Sequence, residues 1–181
     1  MRYAKIEEHE IINGEKNGMS LYVQGCHFRC HKCFNSDIWD FSGGKNWMEN
    51  IKNDFIRLAG RSYIKRVSIL GGEPLADENA EDVLKLVKEI RQLYPDKIIW
   101  LYSGYTWNEI MHPVITAEFN LQINKIIQIK TQIISLCDIF IDGQYIESKR
   151  DITLKWRGSS NQRVIDVKNT LKEKKIVLWV D

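Results

Sequence analysis

The chain has 181 residues, 44% of them hydrophobic and 28% charged, a length and balance that fit one ordinary globular domain with a real core. Lys and Arg number 26 against 24 Asp and Glu, a formal charge of +2 with the signs interleaved, so the charge gives no reason to expect a nucleic-acid partner. No window approaches the roughly 20 apolar residues of a membrane span, and the opening MRYAKIEEHE lacks the apolar core of a secretion signal, so a cytoplasmic protein is expected.

The first apolar run, Met19 to Val23, predicts a strand, and it leads through Gly25 into Cys26, Cys30 and Cys33 at the spacing C-x3-C-x2-C. Trp47, Ile51, Phe55 and Leu58 then recur at helical spacing until Gly60 offers a stop. Val67, Ile69 and Leu70 form a second strand that ends in Gly71-Gly72-Glu73-Pro74. Val83, Leu86, Val87, Ile90 and Leu93 after it mark an amphipathic helix ended by Pro95. Ile98 to Leu101 predict a third strand, followed by Ser103-Gly104-Tyr105 and by Thr106-x-x-Glu109, which has the form of a capping box and starts a helix near Trp107. Between His112 and Leu136 the isoleucines at 126, 127, 129, 133 and 134 fit strand or helix equally. Asp138 to Ile141 reads as a fourth strand, and Val164 to Val167, Asn169 to Lys174 and Ile176 to Val180 as a closing strand, helix and strand.

Strands alternating with helices imply an α/β fold with a largely parallel sheet and right-handed crossovers, here in a single domain over residues 1–181. A complete eight-unit α/β barrel takes roughly 250 residues, so any barrel is partial. Ligands gather at the carboxyl ends of such strands, where the loops converge. The cysteine loop, Gly71 to Pro74, Ser103 to Tyr105 and Asp142-Gly143 all fall at those ends, which predicts one shared cleft from chain order alone.

Three cysteines within eight residues lack the spread of a disulfide scaffold and point to a metal site in a reducing compartment. Three thiolates can bind three irons of a four-iron four-sulfur cluster and leave the fourth open to a ligand. His27 and His31 keep zinc formally open, but a structural zinc site closes with four ligands and no second cysteine pair exists, so the spacing favours iron and sulfur. Cys137, among Ile133, Ile134, Leu136 and Ile139, reads as a small buried hydrophobe. Taken alone, Gly71-Gly72-Glu73-Pro74 is a turn at a helix start, although glycines also let backbone approach a ligand closely. Ser103 and Asp142, taken alone, are a turn serine and the aspartate of an Asp-Gly turn.

The triplet after the first strand resembles the signature of the radical S-adenosylmethionine enzymes, and Gly71-Gly72-Glu73-Pro74 resembles their second motif. A narrower resemblance, to the activating proteins of anaerobic (class III) ribonucleoside-triphosphate reductases, runs through six blocks. These are Gln24-Gly25-Cys26, Cys33-Phe34-Asn35, Gly71 to Pro74, Leu101 to Thr106, Asp142-Gly143 and, most discriminating, Trp156 to Arg163. The chain departs from that family at His31-Lys32, where Pro-Gly is usual, and at Asn13 to Met19, where a Gly-Pro-Gly-x-Arg-like segment is usual.

The resemblance implies an incomplete barrel that holds one [4Fe-4S] cluster on Cys26, Cys30 and Cys33. It implies S-adenosylmethionine on the open iron, contacted by Gly71, Gly72, Glu73 and Pro74, with Ser103 and Asp142 at its ribose or carboxylate. The implied activity is reductive cleavage to a 5′-deoxyadenosyl radical that makes a glycyl radical on the reductase, with an electron donor such as flavodoxin. No general acid or base is required, so His9, His27, His31 and His112 receive no catalytic role. Rival readings are an activase of another glycyl radical enzyme, a radical enzyme acting on a metabolite, and a zinc-stabilised interaction module. The composition of Lys155 to Arg163 suits an interaction surface, or a loop stitched by its own hydrogen bonds.

Overall fold

The computed structural model describes residues 1–113 and 121–180. Its strands are β1 (Arg2–Glu10), β2 (Gly18–Val23), β3 (Lys45–Asn46), β4 (Arg66–Gly71), β5 (Ile98–Tyr102), β6 (Ile139–Asp142), β7 (Arg163–Asp166) and β8 (Leu178–Val180). They form one sheet in the order β3-β1-β2-β4-β5-β6-β7-β8. The helices are α1 (Glu49–Ala59), α2 (Asp77–Leu93), α3 (Trp107–Met111), α4 (Leu121–Leu136) and α5 (Val167–Glu173).

Side-chain alternation along the strands sorts the core into two faces. Met19, Leu21, Val67, Ile69, Ile99, Leu101 and Phe140 pack with Phe55 of α1, Val83, Leu86, Val87 and Ile90 of α2 and Ile133 of α4 in the main core. The intervening residues Trp100, Ile139, Ile141 and Val164 form a second, smaller cluster with Tyr102 and Trp156 against it. Burial on both faces explains why β5 reads as a continuous apolar run, whereas β4 buries Arg66 and Ser68 between its apolar residues.

The strands and helices expected from periodicity are present, and the Thr106/Glu109 capping box starts α3. The isoleucine-rich stretch that fitted strand or helix is helical in α4, where Ile129, Ile133 and Ile134 turn inward, while residues 114–120 lie outside the described residues. The largely parallel sheet needs correction. Only β2-β4-β5-β6 run parallel, and β1, β3, β7 and β8 pair antiparallel. Among the described residues the segment from Gly143 to Gln162 holds no α-helix, only a short 3-10 turn, so β7 returns beside β6 without the helical crossover that a parallel neighbour requires. The strand β1 is absent from the sequence reading because its residues are mostly polar and, among its hydrophobic side chains, only Tyr3 is buried.

Candidate metal centre

At the carboxyl end of β2 the chain leaves the sheet through Gly25, whose φ of +92° and missing Cβ admit the Phe41 ring, 2.0 Å from where a Cβ would sit. The amides of Gly25 and Cys26 donate to the carbonyls of Ile38 (2.9 Å) and Trp39 (3.0 Å), which closes residues 26–38 into a loop anchored at both ends. Arg29 and Lys32, at φ +47° and +56°, are left-handed non-glycine residues that bend the backbone between successive cysteines. Cys33 N–H donates to the Cys30 carbonyl (3.1 Å), the Asn35 amide donates to Cys33 Sγ (3.4 Å), and Asn35 Nδ2 ties the loop to the Gly71 carbonyl (3.2 Å).

At the end of β4 the two glycines serve backbone packing. A Cβ on Gly71 would lie 2.8 Å from Tyr22 Cα, and one on Gly72 would lie 2.2 Å from the Gly25 carbonyl oxygen. In that space Gly72 N–H reaches the Val23 carbonyl (2.8 Å) and Glu73 N–H reaches the Gly25 carbonyl (2.7 Å). The close approach anticipated for a ligand is thus used first by the cysteine loop itself.

Glu73 is buried, and its Oε1 accepts from Leu75 N–H (2.8 Å) and Ser103 Oγ–H (2.7 Å) while Oε2 accepts from Gly104 N–H (2.7 Å). Burial pushes its carboxyl up to about 7, against the pull of those donors and of the Lys130 charge. One carboxylate thereby joins the ends of β4 and β5, and its own amide holds the end of β2.

These strand ends enclose a cavity of about 560 Å³ whose wall includes Cys26, Cys30, Cys33, Gly71, Gly72, Glu73 and Ser103. Pro74 and Asp142 are not on that wall. The Asp142 carboxylate is engaged by Trp107 N–H (2.8 Å) and by Arg163, whose Nε donates to Oδ1 at 2.9 Å and whose Nη2 pairs with Oδ2. Phe28, Asn13, Tyr22, Tyr102, Trp156 and Arg157 also line the cavity, and the sequence reading gave the first four no role there. Period-2 alternation on β2 and β5 was the available signal for Tyr22 and Tyr102, which face away from the main core. The four histidines are exposed and off the cavity wall, and His27 pairs with Glu78 at 2.9 Å. Cys137 is buried, donating to the Ile133 carbonyl (3.1 Å).

The thiols themselves are partly buried, which pushes Cys26 up to about 11 and Cys30 upward, so metal binding must displace their protons. Among the described residues no three His, Cys, Asp or Glu side chains meet closely enough to hold a single metal ion. A four-iron cluster asks for a different arrangement, one thiolate to each of three irons, and Cys26, Cys30 and Cys33 all lie on the wall of one cavity.

Comparison with known proteins agrees with this chemistry. Residues 12–165 match the family described as a 4Fe-4S single cluster domain. An anaerobic ribonucleoside-triphosphate reductase-activating protein of Escherichia coli K12 is 31% identical over 166 residues, covering 91% of this chain and 97% of the relative. Proteins of the same name are 32% identical in Pasteurella multocida (90% of this chain, 95% of the relative) and 29% identical in Enterobacteria phage T4 (91% and 93%).

Proposed function

The chain belongs to the 4Fe-4S single cluster domain family and to the anaerobic ribonucleoside-triphosphate reductase-activating proteins, and from that membership we propose how its cleft works. It is a radical S-adenosylmethionine activase, and its protein substrate is the anaerobic ribonucleoside-triphosphate reductase. When bound, the reduced cluster supplies one electron to the sulfonium carbon–sulfur bond of S-adenosylmethionine, giving methionine and a 5′-deoxyadenosyl radical that takes a hydrogen atom from a glycine of the reductase.

In this reading Cys26, Cys30 and Cys33 hold the cluster and leave one iron open. The observation that carries it is their common cavity with the Gly71-Gly72-Glu73 strand end. Gly71, Gly72 and Glu73 form the shelf against which the methionine moiety lies. Ser103 reaches that shelf through Glu73, and Asp142 acts from behind the wall by fixing the start of α3. Residues 1–181 are taken as one domain because a single sheet gathers strands from Arg2 to Val180. The parallel pairing of β2-β4-β5-β6 supports reading them as part of a barrel, and in this proposal its open side would admit a polypeptide loop. Among the described residues no helix is long and apolar enough to cross a membrane. A cytoplasmic location and a flavodoxin-like electron donor belong to this proposal.

The test is 5′-deoxyadenosine formation by anaerobically reconstituted protein given S-adenosylmethionine and a strong reductant. Product is expected from the parent and none from Cys30→Ala. A parent with a verified, reducible cluster that forms no product would reject the mechanism.

A further inference from the structure

Beside the cysteine loop, part of the cavity wall is built by the segment between β6 and β7, and there the chain presents two guanidinium donors that have no hydrogen-bond partner among the described residues. Arg157 lines the cavity, and its Nε and Nη1 are shielded from solvent with no hydrogen-bond partner among the described residues. Guanidinium donors that are shielded from water and left unpaired are costly, so such a group calls for an acceptor. The nearby carboxylate of Asp151 feels the Arg157 charge, but its Oδ1 is taken by Thr153 N–H (2.8 Å) and Thr153 Oγ1–H (2.6 Å).

The surrounding loop holds Arg157 in this position. The preceding residue, Trp156, has a left-handed backbone at φ +59°, a conformation that a bulky side chain keeps only where packing enforces it. That packing is the edge-on contact of Trp156 with buried Trp100, with ring centroids 5.0 Å apart. Beyond Arg157, Gln162 Oε1 accepts from the amides of Gly158 (3.0 Å) and Ser159 (3.2 Å), while its Nε2 donates to the Gly143 carbonyl (2.9 Å). Gly158 sits close to Phe34, the residue after Cys33, so this wall abuts the cysteine loop. A second donor with no partner among the described residues, the Tyr102 hydroxyl, lines the same cavity.

We propose that Arg157 receives a carboxylate of the ligand that fills this cavity. The inference rests on the functional reading above, and two sources offer that group, the amino-acid carboxylate of S-adenosylmethionine and a carboxylate of the polypeptide substrate. A planar two-oxygen anion pairs with one edge of the guanidinium fork and neutralises its charge at once.

The experiment is calorimetric binding to the unreduced, cluster-loaded protein, where no cleavage occurs. Parent, Arg157→Gln and Arg157→Lys are each titrated with S-adenosylmethionine, with its decarboxylated analogue and with intact reductase, after cluster content and unfolding midpoint have been matched. A cofactor carboxylate gives a 10- to 100-fold weaker affinity of Arg157→Gln for S-adenosylmethionine, an equal affinity of both proteins for the decarboxylated analogue, and an intermediate value for Arg157→Lys. A polypeptide carboxylate instead leaves S-adenosylmethionine binding unchanged and weakens reductase binding by a similar factor. Equal affinities of parent and Arg157→Gln for both partners overturn the inference alone. A loaded parent that binds neither partner overturns the functional reading, and the inference with it.

Discussion

Lys32 stands between the second and third cysteines at φ +56°, a backbone conformation that glycine adopts without strain and that costs other residues about 1–2 kcal/mol. Its exposed ion pair with Glu147 (3.3 Å) returns little of that. Lys32→Gly is therefore expected to shift stability by less than about 1 kcal/mol, toward a higher urea midpoint, whereas Lys32→Val, β-branched at the same angle, lowers stability by about 1–2 kcal/mol. The reverse order would show that the side chain, and not the turn, matters there. At this scale spacing along the chain was enough to expect the three cysteines and Glu73 at one cavity, where they lie. It did not announce what neighbouring positions do for packing. The missing Cβ atoms of Gly71 and Gly72 make room for Tyr22 and Gly25, and Asp142 spends its oxygens on Trp107 and Arg163. None of those neighbours is near in sequence, so spacing could not reveal them.

Glu73 is the point where separate elements meet, since its carboxylate receives Leu75 N–H at the entry to α2 and Ser103 and Gly104 at the end of β5. Burial raises its carboxyl from 4.5 to about 7, so the folded chain holds that proton more tightly than the unfolded one. The resulting stabilisation is complete below the unfolded value and fades as pH rises through about 7. Metal-free parent protein should lose about 1–3 kcal/mol of unfolding free energy across that window beyond any change in Glu73→Gln. The variant should be weaker throughout, because its amide turns a donor toward Gly104 N–H. Urea titrations between pH 5 and 8 decide the matter, and parallel curves for the two proteins would refute the shift. The repeated strand–helix units were legible because each carries its own apolar period. Strand direction was not, since β7 and β8 have the same pattern whichever way they run, and only the helix-free segment before β7 dictates an antiparallel return. β1 owes its extended form to pairing with β2, a contact that its polar sequence does not announce.

Across the whole molecule, the cysteine loop is bonded to the end of β4 through Asn35 and to the segment after β6 through Lys32 and Glu147. A cluster bound to Cys26, Cys30 and Cys33 would brace regions far apart in sequence, and its binding free energy adds to folding free energy. Reconstitution is accordingly expected to raise the thermal midpoint by several degrees over the metal-free parent. Cys33→Ala should keep the metal-free midpoint and show no such rise. Equal increments in both proteins would place the metal elsewhere. The Trp100–Trp156 contact has a further consequence for study of the cleft. One indole is buried in the sheet and the other lines the cavity, with ring planes 73° apart. Two chromophores held that near and that far from coplanar couple their transitions, so near-ultraviolet circular dichroism gives the cleft a built-in optical gauge of filling, with no label attached.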